Sequence, residues 1–174
     1  MNPPHPRRRR RVAMGIERAF IGIGANLGHP AVAVREAARA LNALPGTSGF
    51  SLSPLYRSAP VDASGPDFVN AVAAFNTPLD AQALLAELQA IEQAHGRERP
   101  FRNAPRTLDL DLLLLGARVV NEARLTVPHP RLQGRAFVLR PLLDLDPEVQ
   151  IPGLGAASDL LPAVAGQVLE RIPA

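Results

Sequence analysis

From Thr107 to Leu115 the chain reads Thr-Leu-Asp-Leu-Asp-Leu-Leu-Leu-Leu. A run this short and this apolar reads as a strand set against a core. Strand alternation sends Leu108, Leu110 and Leu112 to one side and Asp109 and Asp111 to the other, with the carboxylates about 7 Å apart by strand rise. One side of the strand is thereby committed to a core, the other to water, an ion or a ligand.

The upstream elements suit a sheet that can receive such a strand. Arg18 to Ala25, with Phe20, Ile21 and Ile23, reads as a buried first strand that leads through Gly24 to a turn at Gly28. Pro30 suits a helix entry, and Ala31 to Leu44 carries Val34, Ala37, Ala38 and Leu41 at helical spacing until Pro45-Gly46 stops it. A second strand is expected from Phe50 through Leu52, Leu55 and Tyr56 toward Pro60. A third follows over Phe68 to Phe75, after a loop with Gly65 and Pro66. Asp80, or alternatively Thr77, can cap the next helix, whose Leu84, Leu85, Leu88 and Ile91 form one stripe before Gly96. The order is β-α-β-β-α-β, which predicts an α+β, ferredoxin-like fold: a mostly antiparallel sheet with helices on one face. Val119 and Val120 add a short strand, and helices around Arg135 to Leu143 and from Ser158 close the fold.

A chain of 174 residues with 47% hydrophobic content buries one sizeable core, so residues 16–174 are expected to form one domain. Residues 1–15 are rich in proline and arginine and are expected to be a disordered tail. The formal charge of +3 comes from Arg7 to Arg11; the remaining 14 arginines face 16 acids, a net of −2. A slightly acidic body argues against a nucleic-acid partner. With no cysteine, disulfides and thiolate metal sites are excluded, which fits a reducing cytoplasm. The apolar stretch after Arg11 is broken by Glu17 and Arg18, too soon for a signal peptide or a membrane span.

Two carboxylates on one strand face repel unless a cation stands between them, and hard oxygen ligands suit magnesium; a solvated strand face is the alternative. Arg97, Arg99, Arg102 and Arg106 precede them, and guanidinium forks match phosphate oxygens, although an ordinary surface loop has the same look. Gly22, Gly24 and Gly28 miss the dinucleotide spacing, and a lysine-free chain cannot carry a P-loop, so they read as turn glycines. His5, His29, His95 and His129 lack the short pairing of a zinc site.

Five strings follow in order between about residue 19 and residue 150: Gly24-Ala25-Asn26-Leu27, Phe68-Val69-Asn70-Ala71, Glu92 with Gly96-Arg97, Pro105-Arg106-Thr107-Leu108-Asp109-Leu110-Asp111, and Leu125-Thr126-Val127-Pro128-His129. Together they resemble the 6-hydroxymethyl-7,8-dihydropterin pyrophosphokinase family. The resemblance implies transfer of a diphosphate from ATP to the hydroxymethyl group of the pterin, with AMP as the other product. It implies that Asp109 and Asp111 hold two magnesium ions, that Asp109 lies near the attacking hydroxyl, and that Arg97 and Arg106 neutralise developing charge. Gln89, Glu92, Arg99, Arg124, Thr126, His129 and Arg135 match ATP contacts, and Leu85 and Leu112 match apolar contacts to the adenosine. Phe68 and Phe137 match the aromatics that sandwich the pterin, Asn70 the amide at its edge, and Ser58, Ala59 and Val61 the backbone beside it. The expected protein is a cytoplasmic monomer acting on two small molecules, without nucleic acid or membrane.

The sequence also departs from the family. Many members carry a tryptophan in the loop before Pro105, where this chain has Asn103; closure over the site is expected to use Phe101 and Arg102. Phe68 stands where tyrosine is common, and Pro130 where some members have an aromatic residue.

Overall fold

The computed structural model describes residues 15–60, 65–96 and 108–173. Its first strand, β1 (Glu17–Ala25), buries Ala19, Ile21, Ile23 and Ala25 on one side. Pro30 opens α1 (Pro30–Asn42), where its missing N–H costs no hydrogen bond, and Val34, Ala37, Ala38 and Leu41 join the same core. Next come β2 (Ser48–Leu52), β3 (Tyr56–Ser58), β4 (Phe68–Thr77) and α2 (Ala81–Gly96). Of the two candidate caps for α2, Asp80 is the one used: its Oδ1 accepts the Ala83 N–H at 2.8 Å, whereas Thr77 Oγ1 accepts from Leu79. The chain continues through β5 (Asp109–Leu115), β6 (Val120–Glu122), β7 (Leu125–Val127), α3 (Ala136–Leu145), β8 (Gln150–Ile151) and β9 (Gly155–Ala156). A 3-10 segment, Ala157–Val164, stands where a helix is expected from Ser158, and β10 (Leu169–Arg171) ends the fold.

The main sheet runs β10-β3-β4-β1-β5, with β2 also paired to β4 and every pairing antiparallel. This is the expected α+β arrangement, with β10 an added edge strand that no local sequence pattern announces. Two small hairpins, β6 with β7 and β8 with β9, lie outside it. No helix among the described residues is long and apolar enough to cross a membrane.

Three details differ from the sequence reading. The strand expected from Phe50 toward Pro60 is two strands, because Pro54 has no N–H for the ladder. Ser53 bridges the break: its N–H donates to the Val72 carbonyl and its Oγ accepts the Val72 N–H, both at 2.9 Å. Helices cover both faces rather than one. Leu84 and Leu88 of α2 pack with α1 on the first face, while α3 and the 3-10 segment bury Phe20, Val72, Ala74, Leu113 and Leu114 on the second. Finally, β1 and β5 slip register by one residue: Ile21 faces Leu112 and Phe20 faces Leu114, so Leu113 is a bulge.

Candidate functional site

The second face of the sheet is sealed at one end only. Moving along three neighbouring strands, the side chains change character within one cross-strand pair of each other: Phe20 gives way to Gly22 and Gly24 on β1, Leu113 to Asp111 and Asp109 on β5, and, one pair further on, Val72 to Asn70 and Phe68 on β4. Gly22 lies opposite Asp111 and Val72, and Gly24 opposite Asp109 and Asn70. The result is a cleft of about 430 Å³, walled by Ser58, Ala59, Phe68, Asn70, Asp109, Asp111, Arg135 and Phe137.

All the described residues expected to hold a pterin therefore meet in one place. Asn70 is 5% exposed and its amide is oriented, since Nδ2 donates to Ser58 Oγ at 2.8 Å. That leaves Oδ1 on the side of Gly24, where a β-carbon would stand 3.2 Å from it. Gly22 and Gly24 are thus not turn glycines. They lie inside β1 and form a floor without side chains; Gly28, at φ 64°, is the one that turns the chain. Period-two alternation marks the pair, since they occupy the face opposite Ile21 and Ile23.

Asp109 and Asp111 share the cleft face, as their alternation requires, while Leu108, Leu110 and Leu112 enter the first core. Among the described residues no three His, Asp or Glu side chains cluster as a closed metal site. The two carboxylates form an open donor pair that fits magnesium when phosphate and water oxygens complete its shell.

His129 approaches from outside the cleft. Its N–H donates to the bulge carbonyl of Leu113 at 3.0 Å, and its Nδ1 accepts the Arg131 N–H at 3.2 Å. In the neutral ring the proton then sits on Nε2, 3.9 Å from Asp111 Oδ1 and beyond hydrogen-bond reach. Burial holds this imidazole below its usual range; Asp111 pulls the other way, and Arg135 and Arg131 add to the lowering. Arg135 lies over the Phe137 ring, its Cζ 5.4 Å from the centroid, a cation–π arrangement on the cleft wall.

The residues expected to contact nucleotide are more scattered. Arg135 lines the cleft, and His129 adjoins it through Asp111. Glu92, on α2, accepts the Leu110 N–H at 3.3 Å, which ties the helix to the carboxylate strand. Gln89, Arg124 and Thr126 are exposed. Leu85 is partly buried against the first core, and Leu112, at 4% exposure, is a core residue with little surface left for a ligand. Val61, Arg97, Arg99 and Arg106 lie outside the described residues, as do Phe101, Arg102 and Asn103.

The family model for 7,8-dihydro-6-hydroxymethylpterin-pyrophosphokinase matches residues 20–147. The 2-amino-4-hydroxy-6-hydroxymethyldihydropteridine pyrophosphokinase of Pseudomonas aeruginosa is 45% identical over 159 residues, spanning 91% of this chain and 98% of the relative. The Haemophilus influenzae protein of the same name is 38% identical, over 88% and 97% of the two chains. Among solved structures, an HPPK-DHPS in complex with substrates superposes with a TM-score of 0.67 at 13% identity over 86% of this chain. Wild-type HPPK-DHPS of Plasmodium falciparum does so with 0.64 at 14% over 84%. These likenesses speak for the fold, and this chain spans only 43% and 41% of those longer chains.

Proposed function

The chain belongs to the 7,8-dihydro-6-hydroxymethylpterin-pyrophosphokinase family and acts as a pyrophosphokinase of folate biosynthesis, and we propose that the cleft beside α3 is where it holds the pterin. The enzyme transfers a diphosphate from ATP to the hydroxymethyl group of 6-hydroxymethyl-7,8-dihydropterin, leaving AMP. The hydroxyl oxygen bonds to the β-phosphorus as the bond from that phosphorus to the α,β-bridging oxygen breaks. The hydroxyl proton passes to solvent, and AMP keeps the bridging oxygen.

A flat bicycle with apolar faces and an amide-like edge fits this cleft. Phe68 and Phe137 supply ring faces for stacking, Asn70 Oδ1 accepts from the ring edge, and Gly22 and Gly24 leave the floor low enough for a ring to lie on. The observation that carries the reading is the meeting of Phe68, Asn70, Phe137 and the Asp109, Asp111 pair around a single cavity. Asp109, the more exposed of the pair, is assigned the hydroxymethyl end, where its carboxylate accepts the hydroxyl hydrogen bond and orients the oxygen for attack. Asp109 and Asp111 would hold two magnesium ions, whose charge, when bound, neutralises the triphosphate as it is divided.

Arg135 is assigned to the phosphates from the opposite wall. Arg97, Arg99 and Arg106 join it on grounds of sequence alone, as does Val61 beside the pterin. Leu85, Gln89, Glu92, Leu112, Arg124, Thr126 and His129 complete the proposed nucleotide side. The enzyme is further read as a cytoplasmic monomer that binds no nucleic acid; the net −2 of the chain outside Arg7 to Arg11 supports the last of these. Incubation with hydroxymethyldihydropterin, ATP and magnesium should give AMP and pterin diphosphate in equal amounts, both lost on chelation. Release of pyrophosphate instead of AMP, as from a nucleotidyltransferase, would overturn the assignment.

A further inference from the structure

The first N–H groups of a helix need partners from outside it. At the start of α3 the preceding residue, Arg135, is extended (φ −128°, ψ 109°) and gives the helix no side-chain cap. The partner comes from 31 residues further along the chain: Gln167 Oε1 accepts the Ala136 N–H at 2.9 Å. The same amide uses Nε2 to donate to the Gly134 carbonyl, also at 2.9 Å. One primary amide thus pairs with the backbone groups on either side of Arg135, much as a neighbouring strand would.

The base of this clamp is itself fixed. The Gln167 N–H donates to the Val164 carbonyl at 3.0 Å, and Val164 is buried in the second core. The clamped residues carry the cleft wall: Arg135 and Phe137 both line the cavity and stack on each other. Gln167 and its bond to Gly134 are exposed, whereas its bond to the Ala136 N–H is partly buried, so the clamp contributes modestly to overall stability. Its effect is concentrated on where residues 134 to 136 stand.

We propose that Gln167 is a positioning residue, which fixes the backbone around Arg135 and so the aim of Arg135 and Phe137 into the cleft; the role rests on that cleft being the substrate site. Gln167→Met keeps the length of the side chain and removes both bonds. Gln167→Glu keeps an acceptor for the Ala136 N–H and loses the donor to Gly134. Steady-state kinetics with magnesium, ATP and hydroxymethyldihydropterin, beside urea unfolding, would compare both variants in the wild-type background. Gln167→Met would also be combined with the double variant Arg135→Ala, Phe137→Ala.

Gln167→Met is expected to raise KM about three- to ten-fold with only a modest fall in the urea midpoint, and Gln167→Glu to recover part of that loss. Added to the double variant, Gln167→Met should change KM by less than about two-fold, because the groups it aims are gone. An equal fold-change in both backgrounds would overturn the positioning role, as would an unaltered KM in Gln167→Met while Arg135→Ala and Phe137→Ala each raise it. If those two single variants leave KM unaltered, the cleft assignment itself fails and takes the clamp with it. Should Gln167→Met unfold under assay conditions, the folded Gln167→Glu decides: wild-type KM there counts against the proposal, and a partial rise supports it.

Discussion

The two faces of the sheet are cut from the same strands, yet they are finished differently. Under α1 and α2 the β1 positions Ala19, Ile21, Ile23 and Ala25 and the β4 positions Val69, Ala71, Ala73 and Phe75 are all aliphatic or aromatic and buried. Under α3 the closure stops halfway. Phe20, Val72 and Leu113 sit beneath the helix, and one alternation further on their places are taken by Gly22, Asn70 and Asp111. Side chains in a sealed layer are committed to filling volume at crystal-like density and can do little else. Where the helix ends, the same strands are free to present amides, carboxylates and bare backbone to a ligand. The covered half gives those groups a rigid base, which preorganised charge stabilisation requires.

If this division of labour is right, substitutions on the two sides should separate activity from stability. Asp111→Ala should lower turnover by on the order of 10³-fold, as measured by AMP release, and change the unfolding free energy in urea by no more than about 0.5 kcal/mol, since the carboxylate is half-exposed. Leu84→Ala, on the closed face, should do the reverse. It removes a fully buried side chain and should cost about 3 kcal/mol in urea unfolding, with KM for both substrates unchanged. Gly24→Ala tests the open floor: its β-carbon would press on Asn70 Oδ1 at 3.2 Å and should raise the pterin KM about ten-fold, with ATP affected less. A sharp loss of stability in Gly24→Ala, or of activity in Leu84→Ala, would dissolve the distinction.

The smallest effect belongs to the covered half. Burial, and then the hydrogen bond that Tyr56 donates to Asp144 at the far end of α3, push the Tyr56 hydroxyl up to about 12. The unfolded chain loses that proton near 10, so the native state holds more protons between about pH 10 and 12. Stability from this group is present below about 10 and is lost as pH rises toward 12. The chain has one tyrosine and neither lysine nor cysteine, so phenolate absorbance should report this titration alone. Tyr56→Phe should flatten the alkaline fall in the urea midpoint.

Much of this plan is legible in the sequence, and the illegible parts share a cause. The main strand and helix order and the shared face of Asp109 and Asp111 follow from local periodicity, which needs no knowledge of the partner, whereas the choice of Asp80 over Thr77 as the cap of α2 needed the structure. The break at Ser53-Pro54 is less visible, because apolar residues continue on both sides and Ser53 conceals the gap by bonding Val72. Gly22 and Gly24 look like punctuation until the strand's alternation is applied to them. β10 and the clamp of Gln167 on residues 134 and 136 are pairings between distant segments, with no short-range pattern to announce them. The residues proposed for the nucleotide are spread over α2, β7 and the start of α3, so no single string holds them.

The extra residue at Leu113 has a further consequence. In an unbroken strand, odd and even positions keep their sides from end to end, and a slip of one place inverts them all. Here the count restarts partway: Asp109 and Asp111 take their parity from Gly24 and Gly22, and Leu114 and Leu115 take theirs from Phe20 and Ala19. The acidic half and the greasy half of one strand are therefore indexed separately, and a shift in the packing of the leucines leaves the two carboxylates facing the same way.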